Sequence, residues 1–107
     1  MSDPPPSLDP KLAELRERFR ERLPGYRDRL RDAEQRLGVD RSPAPLTQFR
    51  QVAHELIGVS GMLGFSGISR TAAALEEAAD AALAGRAART SLGEHLERLA
   101  REIDLEL

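Results

Sequence analysis

Residues 46–65 read Leu46-Thr47-Gln48-Phe49-Arg50-Gln51-Val52-Ala53-His54-Glu55-Leu56-Ile57-Gly58-Val59-Ser60-Gly61-Met62-Leu63-Gly64-Phe65. Phe49, Val52, Leu56, Val59 and Leu63 recur at helical spacing, and at 100° per residue they gather on one side, flanked by Ala53 and Ser60. That side is a core face, and it predicts a helix from near Leu46 to about Leu63. Gly58 and Gly61 fall inside this helix, where each costs about 1 kcal/mol relative to alanine. Two such losses beside one histidine point to a surface that must stay bare, because local rules are broken most often where function requires it.

Outward from this stretch, the rest of the 107-residue chain is of one kind. Leucine and alanine dominate the apolar residues, aromatics make up 4%, and there are few β-branched clusters from which strands could form. Asp9-Pro10 has the chemistry of a helix start, a capping acid followed by proline at the first helical position. From there Leu12, Leu15, Phe19, Leu23, Tyr26, Leu30, Ala33 and Leu37 form one stripe whose phase survives Pro24-Gly25. A hairpin there would reset the phase, so the pattern predicts one long first helix, kinked near Pro24 and stopped by Gly38. Val39–Pro45 is a loop by its Asp, Ser and Pro content. A third stripe, Ile68, Ala72, Leu75, Ala79 and Ala82/Leu83, has Ser66 as its expected N-cap and Gly85 as its stop. A fourth, Leu92, Leu96, Leu99 and Ile103, opens on Ser91-Leu92-Gly93-Glu94, which fits a capping box. The expected fold class is all-α, an antiparallel four-helix bundle over residues 9–107, preceded by a disordered Pro-rich tail, residues 1–8.

Composition excludes several functions. Net charge is −2, and the arginine-rich segment 9–36 alternates its charges, nine basic against seven acidic, as an ion-paired helix face does. Nucleic acid is therefore not an expected partner. No apolar run approaches the ~20 residues needed to cross a bilayer, and Met1–Ser7 does not resemble a signal peptide. The expectation is a cytoplasmic protein that makes no membrane contact. With no cysteine there is neither a disulfide framework nor a thiolate metal site. His54-Glu55 begins like a zinc-protease helix, but position 58, where the second histidine belongs, is glycine. The glycines do not form a phosphate-cradling loop either, for no Lys-Ser/Thr pair follows them.

On the helical projection His54 points away from the core face. Thr47, Arg50, Gly58 and Gly61 lie near it, and Ile57 stands to one side. An exposed imidazole is a competent nucleophile near neutral pH. Bare glycines let another protein approach it, and phosphoryl transfer depends on such in-line approach together with charge neutralisation. Arg50, one turn before His54, would offer positive charge to a phosphoryl group.

The run from His54 to Phe65 resembles the signature of histidine-containing phosphotransfer (HPt) domains. Its pattern is His, any residue, Leu, Lys, Gly, two small residues, Gly, two variable residues, Gly and an apolar residue. His54, Leu56, Gly58, Ser60, Gly61, Gly64 and Phe65 fit it. Ile68-Ser69-Arg70-Thr71-Ala72-Ala73-Ala74-Leu75-Glu76 is similar to the family's next helix, and Leu23-Pro24-Gly25-Tyr26 to a proline-containing first helix of some members. The resemblance implies a monomeric phosphoryl carrier of a two-component phosphorelay, itself not an enzyme and without cofactor or metal. His54 would be the phospho-acceptor, at Nε2, and the partners a response-regulator receiver domain, a histidine kinase or both. The implied surroundings of the phosphoryl group and docking surface are Arg50, Ile57, Gly58 and Gly61.

One departure bears on function. Where the family carries lysine three residues after the histidine, this chain has Ile57. That favours an alternative in which the bundle is an adaptor that docks to a receiver or kinase independently of phosphorylation. Away from this stretch, His95 reads as a half-buried structural histidine at the edge of the last stripe. Arg70 reads as a surface arginine, and Glu76, Glu77 and Asp80 as carboxylates that solvate the third helix.

Overall fold

The computed structural model describes residues 9–107, and the Pro-rich tail expected at Met1–Leu8 lies outside them. Four helices account for most of the described residues, and no strand is found among them. Helix α1 spans Pro10–Leu37, α2 Ala44–Leu63, α3 Ser66–Leu83 and α4 Leu92–Asp104, with a single 3-10 turn, Arg89–Ser91, before α4. The α1 start is made as its chemistry dictates, with the Asp9 carboxylate accepting from the Lys11 N–H at 3.1 Å. Helix α1 then continues through Pro24. Proline removes one N–H and crowds the carbonyl four residues back. The buried Leu23 and Tyr26, on either side of it, hold the helix to the core across that point.

The bundle measures 52 × 22 × 18 Å, with α2 and α3 as its most closely packed pair. Their interface is lined with small side chains: Ala53 and Ser60 from α2, Ala72 and Ala79 from α3, all fully buried. The Ser60 hydroxyl satisfies itself within the helix by donating to the Leu56 carbonyl. Phe49, Leu56, Leu30, Leu75, Leu96, Leu99 and Ile103 fill the remaining core without solvent exposure. At one end Phe19 stacks at a tilt on Phe65, centroids 5.2 Å apart, and on Tyr26 at 6.2 Å. Arginines on α1 pair with carboxylates on α4: Arg27 with Asp104 at 2.5 Å and Arg31 with Glu97 at 2.5 Å. The Arg31 hydrogen bond holds the Glu97 carboxyl below its ordinary range. Such exposed pairs contribute little stability, about 0–1 kcal/mol each, so the apolar core carries the fold.

Several ends differ from the sequence expectation, each for a local reason. Helix α2 begins at Ala44 rather than near Leu46, because Pro45 occupies its first turn, where a missing N–H costs nothing. Helix α3 takes Phe65 as its N-cap, and Ser66, expected there, is its first residue. No capping box forms at α4. Ser91 already has helical backbone angles (φ −67°, ψ −17°), which deny its side chain the cap geometry, and its hydroxyl donates instead to the Ala88 carbonyl at 2.8 Å. Leu15, placed in the α1 stripe, is half exposed, and Val59 is only partly buried. On α2 the core face is turned from Val59 towards Ala53 and Ser60, the residues that meet α3.

The α2–α3 connection is a Schellman turn. Gly64 adopts φ +85°, the Phe65 N–H donates to the Ser60 carbonyl at 2.8 Å and the Gly64 N–H to the Gly61 carbonyl at 3.4 Å. The Arg16 guanidinium donates to the Leu63 carbonyl at 2.5 Å and lies over the Phe65 ring, 4.6 Å from its centroid, so α1 clamps this turn from outside. An L side chain in the left-handed region costs about 1–2 kcal/mol. Gly64→Ala is therefore expected to lose about that much stability, measured as a lower denaturation midpoint at unchanged slope.

Candidate functional site

His54 lies midway along α2 with its side chain 77% exposed. The exposure follows from helix phase, since Val52, Ala53 and Leu56 are fully buried on the other side. Its ring is nonetheless held. Nδ1 stands 2.8 Å from Oε2 of Glu76 on α3, a carboxylate only 27% exposed. An ionised carboxylate accepts hydrogen bonds and cannot donate them, so the shared proton resides on Nδ1. In the neutral ring the lone pair is then on Nε2. The carboxylate thus fixes both the orientation and the tautomer of an imidazole that would otherwise rotate freely.

Glu76 is not the solvating residue that the sequence suggested, and neither is Asp80. Arg50 Nη1 lies 3.7 Å from Asp80 Oδ1, and Arg50, Gln51, His54, Glu55, Glu76 and Asp80 line one shallow cleft between α2 and α3. Glu55 is in turn paired with Arg29 of α1 at 3.2 Å. The two cross-helix pairs are rungs one turn apart. Arg50 and His54 are four residues apart on α2, as are Glu76 and Asp80 on α3, and the helices run in opposite directions. Both rungs are symmetric about Phe65, with His54 and Glu76 eleven residues to either side and Arg50 and Asp80 fifteen. Matching four-residue spacings on two sequential helices joined by a tight turn were a sequence signal for this arrangement. Only Glu77 of the three carboxylates is exposed as expected.

The glycines separate into different roles. A methyl group built on Gly58 would meet nothing within 4 Å. No contact among the described residues demands glycine at this position, and its backbone is ordinary helix. A methyl group on Gly61 would come 3.5 Å from the Ser69 hydroxyl oxygen, an ordinary contact, so this position faces α3 across the groove. Ile57 is only partly buried and rests against the core, so it offers a half-covered apolar edge rather than a projecting side chain. Met62, beside Gly61 and 76% exposed, supplies apolar surface that the sequence reading did not single out. Arg70 is exposed. His95 is half-buried on α4, its Nδ1 buried with no hydrogen-bond partner among the described residues. No group of three or more potential metal ligands occurs among the described residues, and none of their helices is long and apolar enough to cross a membrane.

Because Gly58 is helical and unobstructed, Gly58→Ala is expected to stabilise the isolated protein by about 0.5–1 kcal/mol. The denaturation midpoint measures this. A loss of stability would mean that an internal contact requires the glycine.

A family model described as Hpt domain matches residues 14–106, nearly the whole chain. No curated protein and no solved structure matches it.

Proposed function

We propose that this chain, which belongs to the Hpt domain family of histidine phosphotransfer modules, carries a phosphoryl group on Nε2 of His54. Its partners on this reading are a receiver domain, whose aspartate gives or takes the group, and a histidine kinase as alternative donor. The observation that carries the reading is the exposed His54 ring with Nδ1 held at 2.8 Å by Glu76, beside a Gly58 that no internal contact requires. The first supplies a nucleophile with its free lone pair on the outer nitrogen. The second supplies room for a partner's active-site loops.

In the forward step the Nε2 lone pair attacks the phosphorus of an aspartyl phosphate. The nitrogen–phosphorus bond forms as the phosphorus–oxygen bond to the aspartate breaks, and the aspartate leaves as carboxylate. The ring becomes positively charged while Nδ1 still bears its proton, and the Glu76 carboxylate stabilises that charge through a charge-assisted hydrogen bond. Return of the group to an aspartate reverses each change. Arg50 is the cation nearest along the helix to offset the phosphoryl charge, in place of the lysine that Ile57 replaces. Ile57, Gly58, Gly61 and Met62 form the docking surface, apolar at its edges and bare at its centre. The chain itself binds no nucleotide on this reading. It is a substrate of its partners, working in the cytoplasm as a single copy.

Incubation with phosphorylated receiver domains tests this. Wild-type protein is expected to acquire acid-labile phosphate, and His54→Gln to acquire none while keeping its helical spectrum. Equal labelling of both would overturn the assignment, and tight receiver binding with no labelling would favour the adaptor alternative that Ile57 suggests. Glu76→Gln should slow transfer about ten- to a hundredfold, the worth of a hydrogen bond to a charged group.

A further inference from the structure

We infer that Asp80 is a reversible holder of Arg50, which it surrenders to the phosphoryl group when His54 is loaded. The inference rests on the reading of His54 as phospho-acceptor.

The Arg50–Asp80 contact is the loose member of the two rungs. At 3.7 Å it lies within ion-pair range but beyond a hydrogen bond, and its side chains are 49% and 47% exposed. The cleft that holds it is lined by three carboxylates, Glu55, Glu76 and Asp80, and by one cation, Arg50. Glu55 is already paired with Arg29, and Glu76 with His54. Ile57 adds no charge. A phosphoryl group on Nε2 therefore places new negative charge beside a cleft with an acidic excess and a single guanidinium to meet it.

Arg50 is suited to move. It stands one turn before His54 on the same face of α2, so a side-chain rotation reaches either Asp80 across the groove or the phosphoryl group along the helix. The phosphoryl oxygens offer a guanidinium a bidentate, charge-assisted pairing. The contact with Asp80 in the unloaded state is neither bidentate nor hydrogen-bonded. Loading thus transfers Arg50 from Asp80 to the phosphoryl group, and unloading returns it. Asp80 acts as a positioning residue. It keeps the guanidinium beside the cleft when His54 is bare, and by competing for it weakens the hold on the phosphoryl group, so that the group stays transferable.

The test uses the full chain loaded with phosphoramidate. The Nε2 lone pair forms the nitrogen–phosphorus bond as the bond from phosphorus to the amide nitrogen breaks, and ammonia leaves. Phosphorus NMR then follows the second ionisation of the phosphoryl group in wild type, Arg50→Gln, Asp80→Asn and the double variant. A nearby cation favours the doubly charged form. Arg50→Gln should raise the titration midpoint by about half a pH unit, and Asp80→Asn, by freeing Arg50, should lower it. In the Arg50→Gln background the Asp80 change should have little effect. Identical midpoints in all four proteins, or an Asp80 effect of equal size in both backgrounds, would overturn the handover while leaving the His54 assignment standing. Failure of wild-type protein to load would overturn both.

Discussion

The close antiparallel pairing of α2 and α3 is the constraint on which the rest of this molecule depends. Small buried residues, Ala53 and Ser60 against Ala72 and Ala79, let the two helices approach. The turn at Gly64 then fixes their register, so that residues equidistant from Phe65 face one another. Gly61 opposite Ser69, His54 opposite Glu76 and Arg50 opposite Asp80 are all instances of that single relation. The site is thus not assembled from scattered loops. It is a by-product of helix pairing, and its precision is that of the packed interface beneath it.

The same pairing divides the labour between the helices. Helix α2 brings the imidazole, the guanidinium and the bare surface; α3 brings the carboxylates that orient them. Helices α1 and α4 contribute mass and stiffness, joined by arginine pairs along the outside, and α1 secures the α2–α3 turn through Arg16. On the proposed reading the reactive nitrogen has to be presented to more than one partner, which a deep pocket would prevent. A convex helix with the ring held from behind by one carboxylate reconciles access with order.

Much of this could be read from the residues. The unbroken apolar phase through Pro24 gave one long α1, and the phase of Phe49, Val52, Leu56 and Leu63 put His54 outside, because burial is periodic and periodicity is written in sequence. The cross-helix partners of His54 and Arg50 were not read, because Glu76 and Asp80 carry the same composition signal as any solvated helix face. The signal that sets them apart is the match between their four-residue spacing and that of Arg50 and His54, counted outward from the turn at Phe65. The helix starts at Ala44 and Ser66 and the unmade cap at Ser91 were missed for a smaller reason. Capping depends on one residue's backbone angles, which the neighbouring chain decides and which side-chain identity only biases. Ile57, which the helical projection sets to one side of His54, is partly buried against the core.

Gly58 carries a consequence for recognition. Where a helix lacks side chains, a visitor on the proposed docking face touches peptide groups, and these are alike in every helix. Such a surface can verify shape but not identity. Whatever lets this protein tell one suitor from another must therefore be located around that blank area, in the thioether of Met62, the branched edge of Ile57 and the charges beyond. If His54 is the acceptor, as proposed, selectivity and reactivity occupy separate ground, and drift in one set of residues can redirect the protein without disturbing the other.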